Sequence, residues 1–383
     1  MKSSWFLSSL LTGVTLSFWI SGASAQSLDD ERFDRDDAST VFVQSNDPAG
    51  NHILAYHRAA DGSLAPVASY ATGGQGGRLD GAAADPLASQ GSLRLDPTHH
   101  LLIGVNAGSN TVYSFHVEGD DHRLSDRQVV PSGGTFPVSV AVHGDLVYVL
   151  NARGSGTVQG YRVDDDGRLL ALADSARSLG LQPNPTSTEF LTTPGQIGFT
   201  PDGRHLIVTT KANASGSHID VFQVRADGRL SATPVANPSS TPVPFAFTFD
   251  AQRQLVVGEA GTSTVATYTV HDNGTVTPIG TASVSQAALC WIARDGDTYF
   301  VSNAGSGSVS AFHVGASGQP SLLGTTSVGA GPIDLTVAGH GRFLYVELGG
   351  AGTIATLRVG DDGSLTSIGT VAGHAGQEGI VAL

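Results

Sequence analysis

Lys211 is the only lysine beyond Lys2, and Glu259 lies about one repeat unit further along the chain. A lysine ammonium stabilises a developing oxyanion, and a desolvated glutamate, its pKa raised by burial, activates water. These two are therefore the candidate catalytic pair for hydrolytic attack on a carbonyl. Asn106, Asn151 and Asn303 stand at the corresponding point of other units, and with Gln196, Trp291 and Asp334 they form the candidate substrate-binding set. Each also has a structural reading. Asn, Lys or Glu at a hairpin start caps its turn, and Trp291, beside Cys290, serves core packing as readily as ligand stacking. Asp334 and Glu378 begin neighbouring inner strands, where they could pair, hold a cation or simply be solvated by a water-filled channel.

The motifs of several common chemistries are missing. No GxSxG, HExxH, Walker phosphate loop or GxGxxG is found, which removes the usual support for nucleophile-elbow, zinc-protease, nucleotide and nicotinamide readings. The 13 histidines are scattered, with His99 and His100 the only adjacent pair, so neither a metal nor a cofactor is expected. Cys290 is the only cysteine; it cannot form an internal disulfide and reads as a small buried hydrophobe.

The elements that must position these residues are legible in a repeat. YHRAADGSL, FHVEGDDHRL, YRVDDDGRL, FQVRADGRL, YTVHDNGTV, FHVGASGQP and LRVGDDGSL each close a strand with a tight turn, and all but the last begin with Tyr or Phe. With Gly62, His122, Gly167, Gly228, Gly274, Gly318 and Gly363 as markers, the intervals are 60, 45, 61, 46, 44 and 45 residues. A period near 45 with two insertions indicates one supersecondary unit per repeat. Within a unit four short apolar pieces recur, as in LCWIARDG, TYFVSNAGSG, SVSAFHVGASG and QPSLLGTTSV. DG and NG turns between them suit hairpins, because these residues accept positive φ. Seven units of four antiparallel strands predict an all-β, seven-bladed propeller. The C-terminal EGIVAL should complete the first blade beside Val41 to Gln44 and leave no open edge.

The insertions, Ala71 to Gly91 and Leu172 to Gly195, fall between the last strand of one blade and the first of the next. They share a face of the disc with the strand-two to strand-three hairpins, and the DG turns occupy the other. Loops on a rigid scaffold carry function, so the loop face is the expected mouth of a polar funnel. Lys211 and Glu259 are placed at its second-strand ends. Gln90, Ser92, Ser139, Gln196, Phe247, Trp291, Asp334 and Glu378 are placed at its innermost-strand starts.

Composition bounds the rest. The 383 residues include 49 Gly, are 14% charged and carry a formal net charge of −14; about 25% charged is usual for globular domains. No Arg/Lys cluster offsets the acidity, so nucleic acid is not an expected partner. Residues 1–25, apolar from Trp5 to Ile20 and ending in SGASAQ, read as a cleaved secretory signal. Residues 26–39 read as an acidic disordered tail and 40–383 as the propeller. The expected product is a monomer, periplasmic or secreted, with no transmembrane anchor after processing.

The strings YVLNARGSGTVQGYRVDDDGRL, FTPDGRHLIVTTKANASGSHIDVFQVRADGRL, CWIARDGDTYFVSNAGSGSVSAFHV and GRFLYVELGGAGTIATLRVGDDGSL resemble the lactonase-type seven-bladed propellers. That family includes propeller 6-phosphogluconolactonase and carboxymuconate cyclase, and its YVxN-like repeats are related to those of surface-layer propellers. The resemblance spans roughly Val41 to Leu383. It implies hydrolytic opening, or the reverse closure, of a small lactone in the central funnel. Active members use Arg, His and carboxylate groups there, whereas the matching positions here read Gln196, Ser139 and Phe247. That departure, together with export, points away from phosphogluconolactone. The alternative is a non-catalytic propeller that binds an envelope polymer or protein through its loop face.

Overall fold

A computed structural model describes residues 39–119, 122–182, 188–213 and 216–383. The readings of residues 1–38 as signal and tail lie outside the described residues; Ser39 already belongs to a strand.

Seven antiparallel sheets follow one another around a ring. Each is a blade of strands running outward from the axis, and in blades 2 to 7 the innermost strand is the first in the chain. From blade 2 to blade 7 these innermost strands are Leu93–Asp96, Pro137–His143, Pro194–Phe199, Pro244–Phe249, Leu289–Asp295 and Pro332–Ala338. Blade 1 is assembled from both ends of the chain. Ile380–Ala382 is its innermost strand and pairs with Ser39–Gln44, followed by His52–Arg58 and Leu64–Ala71. The register is Val41 to Ala382, Phe42 to Val381 and Val43 to Ile380. Ring closure by the C-terminal strand thus satisfies backbone groups that would otherwise form an exposed edge. In blade 3 the outer side of Thr157–Val163 is shared by Leu169–Ala171 and a short piece, Arg177–Ser178.

The repeat markers have a conformational cause. Gly62, Gly167, Gly228, Gly274, Gly318 and Gly363 all have φ between +71° and +91°, and His122 takes the same left-handed region at +49°. At Gly62 packing adds to the constraint, because a Cβ would meet the Phe343 ring at 2.3 Å. Its carbonyl accepts from the buried Tyr345 hydroxyl at 2.8 Å, which ties the turn of blade 1 to blade 7. Tyr148 and Gly228 make the same link between blades 3 and 4. Aliphatic and aromatic side chains fill the spaces between blades. Among the described residues no helix is long and apolar enough to cross a membrane.

Candidate active site

The strand pairings define equivalent positions in every blade. Leu93, Val140, Ile197, Phe247, Ile292, Leu335 and Ile380 on the innermost strands pair with Gly104, Val149, Val208, Val257, Val301, Val346 and Val43 on the second. Two residues beyond each second-strand partner lie Asn106, Asn151, Thr210, Glu259, Asn303, Leu348 and Ser45. Lys211 is therefore one residue out of step with Asn106, Asn151, Glu259 and Asn303, contrary to the expectation that it shared their slot. Successive side chains on a strand face opposite ways, so Lys211 and Glu259 have different surroundings.

Glu259 is buried in its own hairpin. It accepts hydrogen bonds from the Thr241 amide at 3.0 Å, the Thr241 hydroxyl at 2.6 Å and the Tyr268 hydroxyl. Burial pushes its pKa up, and these donors oppose the rise. Asn106 bonds to Asn51, Thr72 and Thr111. Asn151 donates to Ser132, and Asn303 to Ser308 and Ser310. These four residues organise loops within and between blades.

On the innermost strands, the residues just before the paired rung form a ring around the axis: Ser92, Ser139, Gln196, Ala246, Trp291, Asp334 and Gly379. Two residues further along, about 7 Å down the channel, comes a second ring: Arg94, Ala141, Gly198, Thr248, Ala293, Thr336 and Val381. Each ring contains one charged side chain, Asp334 in the first and Arg94 in the second.

The loop end of this channel is filled. The insertion after blade 1 turns inward, and its segment from Asp85 to Gln90 crosses the axis. Leu87 N donates to Glu378 Oε2 at 2.7 Å in blade 1. Ser89 Oγ donates to the Val138 carbonyl and Ser139 Oγ to the Gln90 carbonyl in blade 3. Gln90 N donates to the Gly195 carbonyl, and Lys211 Nζ to the Ala88 carbonyl at 2.5 Å, in blade 4. In blade 6, Trp291 Nε1 donates to the Ser89 carbonyl, while the Gln90 side chain bonds both the amide and the carbonyl of Ile292. Lys211 and Trp291 are thus engaged with this plug. The Lys211 ammonium also lies 5.1 Å from the Phe245 ring centre. The second insertion braces the first: Glu189 bonds both the Asp80 amide and the Arg153 guanidinium.

Burial shows which end is open. In every innermost strand the residues up to the paired rung are buried; exposure begins immediately after it in six blades and one residue later, at Val142, in blade 3, toward the turn face. Two adjoining cavities lie there. One, of about 260 Å³, runs from Gln90 and Gly91 past Asp334 and Arg94 to Arg294 and Val337. The other, of about 300 Å³, shares Arg94, Phe247 and Thr248 and reaches Gln196 and Val140. Gln196 and Asp334 are the two candidates from the sequence that line this space. Gln196 is fixed there by both backbone groups of Phe247. Arg94 went unrecognised in the sequence, although the alternation in SLRL carries it to the same side as Ser92.

The charges along the axis perturb one another. Burial raises Asp334 to about 7, against the opposing effects of Arg94 and of the Leu335 and Ile380 amides. Arg94, desolvated, is lowered from its usual value but sustained by Asp334. Arg94 Nε donates to the Val140 carbonyl at 3.3 Å. Above Asp334, Glu347 accepts from the Gly379 amide, and burial holds its pKa well up, with Asp334 adding to the rise. Glu378 is raised by burial, and the proximity of the Asp85 carboxyl adds to the rise. Among the described residues, Asp85 Oδ1 and Glu378 Oε1 are both buried without a donor. Burial brings Lys211 down to about 8 and Asp85 up to about 6; attraction between them limits both shifts. Among the described residues no group of three His, Cys, Asp or Glu is arranged to hold a metal ion.

A model of the family described as lactonase, 7-bladed beta-propeller, matches residues 49–182 and 92–381. The chain belongs to that lactonase family. No curated protein matches it. Solved structures resemble this lactonase-family propeller across nearly their whole length. A candidate 6-phosphogluconolactonase from Bacteroides fragilis is 17% identical with a TM-score of 0.72, covering 90% of this chain and 98% of its own. The periplasmic gluconolactonase PpgL of Pseudomonas aeruginosa is 19% identical with a TM-score of 0.70, covering 91% and 99%. A hypothetical selenium-binding protein from Sulfolobus tokodaii, 10% identical with a TM-score of 0.62 and covering 90% and 93%, shares the architecture too. At these identities the likeness establishes the fold, and the lactonase-family site must be argued from its own residues.

Proposed function

We propose that the protein is an exported lactonase that opens a small lactone in the axial cavity, with Asp334 as general base and Arg94 as oxyanion partner. The observation that carries this reading is one carboxylate, Asp334, and one guanidinium, Arg94, on adjacent axial rings of the same cavity, with Arg294 further out along its wall. Ionised Asp334 takes a proton from water as the water oxygen attacks the lactone carbonyl carbon. Negative charge gathers on the carbonyl oxygen, where Arg94 stabilises it. Collapse breaks the ring C–O bond, and the departing alkoxide takes the proton held by Asp334. The product is a hydroxy acid whose carboxylate is drawn to Arg94. Gln196 and Gln90 shape the wall; Lys211 holds the plug, and Glu259 supports its own loop.

Export rests on the SGASAQ cleavage pattern, and the periplasmic location of the Pseudomonas gluconolactonase is consistent with it. The test is a panel of simple lactones incubated with purified protein, alongside Asp334→Asn and Arg94→Met. Hydrolysis that both substitutions strongly reduce in folded protein supports the assignment; undiminished hydrolysis removes these two residues from it. Fractionation of cells that produce the full chain locates the product.

A further inference from the structure

We infer that the segment from Asp85 to Gln90 determines substrate size and direction of entry. It seals the loop end of the channel, so that a single lactone ring enters from the turn face and stops against Gln90. The inference rests on the lactonase reading for its substrate, but the seal is argued independently.

The geometry is that of a stopper spanning the whole bore. Gln90 belongs to the connection entering blade 2, yet its side-chain amide bonds the Ile292 backbone of blade 6 at 2.8 and 2.9 Å. The first ring supplies the seat: Ser139 and Trp291 both bond the backbone of residues 89–90. Lys211, Glu378 and the Gly195 carbonyl secure it from further sides. Backbone groups of Pro86, Leu87, Ala88, Ser89 and Gln90 are thus met by protein, as burial of irregular chain requires. Because Gln90 and Gly91 also line the cavity, the stopper is the end wall of the pocket itself. Asp334 sits in the ring next to that wall, so a reacting carbonyl must travel to the blind end. Cavities of about 260 and 300 Å³ lie at the lower limit of the roughly 300–1,000 Å³ typical of ligand pockets. One ring fits at the blind end, and a second ring fused or linked on the leading side meets Gln90.

Gln90→Ala removes the bridge across the axis but keeps the backbone of the stopper. The measured quantity is the ratio of kcat/KM for a lactone carrying a second sugar to that for the corresponding single-ring lactone. The expected result is a tenfold or larger rise in this ratio over the parent protein. An unchanged ratio in folded Gln90→Ala overturns the size assignment. Cys290 gives a reading that needs no turnover. It is buried next to Trp291, near enough to Asp85 and Lys211 of the stopper and its seat to feel their charges. Iodoacetamide should label it slowly in the folded parent protein and at least tenfold faster in Gln90→Ala or Lys211→Ala. Rapid labelling of the parent overturns the seal. If the parent opens no lactone while labelling follows the expected pattern, the seal stands and the lactonase reading fails.

Discussion

Gln90, in the connection entering blade 2, and Ile292, in blade 6 and 202 residues away, are joined by two hydrogen bonds between one side-chain amide and one backbone unit. A propeller is otherwise held together between neighbouring blades and by its closing strand. Here a non-repeating connection adds a transverse tie through the hub. Structural stability and the shape of the cavity therefore depend on the same residues, and the carboxyl groups beside the tie make both sensitive to charge.

Lys211 tests that dependence most directly. Its ammonium is buried, bonded to Ala88 and balanced by Asp85. Removing one member of a buried ion pair leaves the other uncompensated, at a cost of about 3–5 kcal/mol. Lys211→Met should lower stability by that amount in denaturant unfolding. The double variant Lys211→Met, Asp85→Asn should recover part of the loss, since the stranded carboxylate is gone. Strictly additive losses would show that the two groups do not interact.

Stability against pH follows from the signs of the shifts. Asp85 is raised to about 6 and Asp334 to about 7, and Glu347 and Glu378 are raised as well. Between about pH 4, where carboxyl groups ionise in the unfolded chain, and these values, the native state binds more protons than the unfolded state. Stability from these groups is greatest at low pH and falls as pH rises through this window. Glu189 and Asp202 are lowered and act in the opposite sense, mainly below the usual carboxylate pKa. The melting temperature should therefore rise as the buffer is taken from pH 7 to pH 5. Glu378→Gln should flatten that rise, and a melting temperature that falls steadily over this interval would contradict the buried-carboxyl account.

Ring closure makes a third case. Ile380 pairs with Val43, and Gln44 exchanges backbone hydrogen bonds with Gly379 and Glu378. Truncation after Gln377 removes this innermost strand and opens Ser39–Gln44 as an apolar edge. It also removes Glu378, which holds Leu87 of the stopper. Size-exclusion chromatography should show the truncated chain as aggregate. A stable monomer with the parent's melting temperature would mean that the ring does not need its closing strand.

How far the sequence could be read follows from this geometry. The turn markers were legible because six glycines and one histidine recur where the backbone must be left-handed, and that requirement is local. Ser92, Ser139, Gln196, Trp291 and Asp334 were correctly placed around the axis from the starts of apolar runs. Phe247 and Glu378 were displaced by one residue from Ala246 and Gly379. Lys211 was displaced likewise, from Thr210. Register shifts just before the paired rung, as between Pro244 and Phe247 or Pro194 and Gln196, upset the parity on which such counting relies. The stopper itself, in a Gly- and Ala-rich stretch without period, could not be foreseen. Its conformation is set by partners in four other parts of the chain, so the loop face, expected to be the mouth, is the closed end.

Asp334 gives the most specific expectation for activity. It must be ionised to accept a proton from water, and burial raises it to about 7. The kcat/KM for lactone opening should therefore rise with pH through about 7 and level off above about 8, once spontaneous hydrolysis is subtracted. Asp334→Asn should remove the general base, lowering kcat by about 10²–10⁴-fold, and abolish the inflection. Arg94→Met should lower activity too, but in a different way. Without the nearby guanidinium Asp334 is harder to ionise, so the inflection should move to higher pH while the residual rate keeps its pH dependence. An unmoved inflection in a folded Arg94→Met variant would show that the titrating group is not Asp334, and the general base would have to be sought elsewhere.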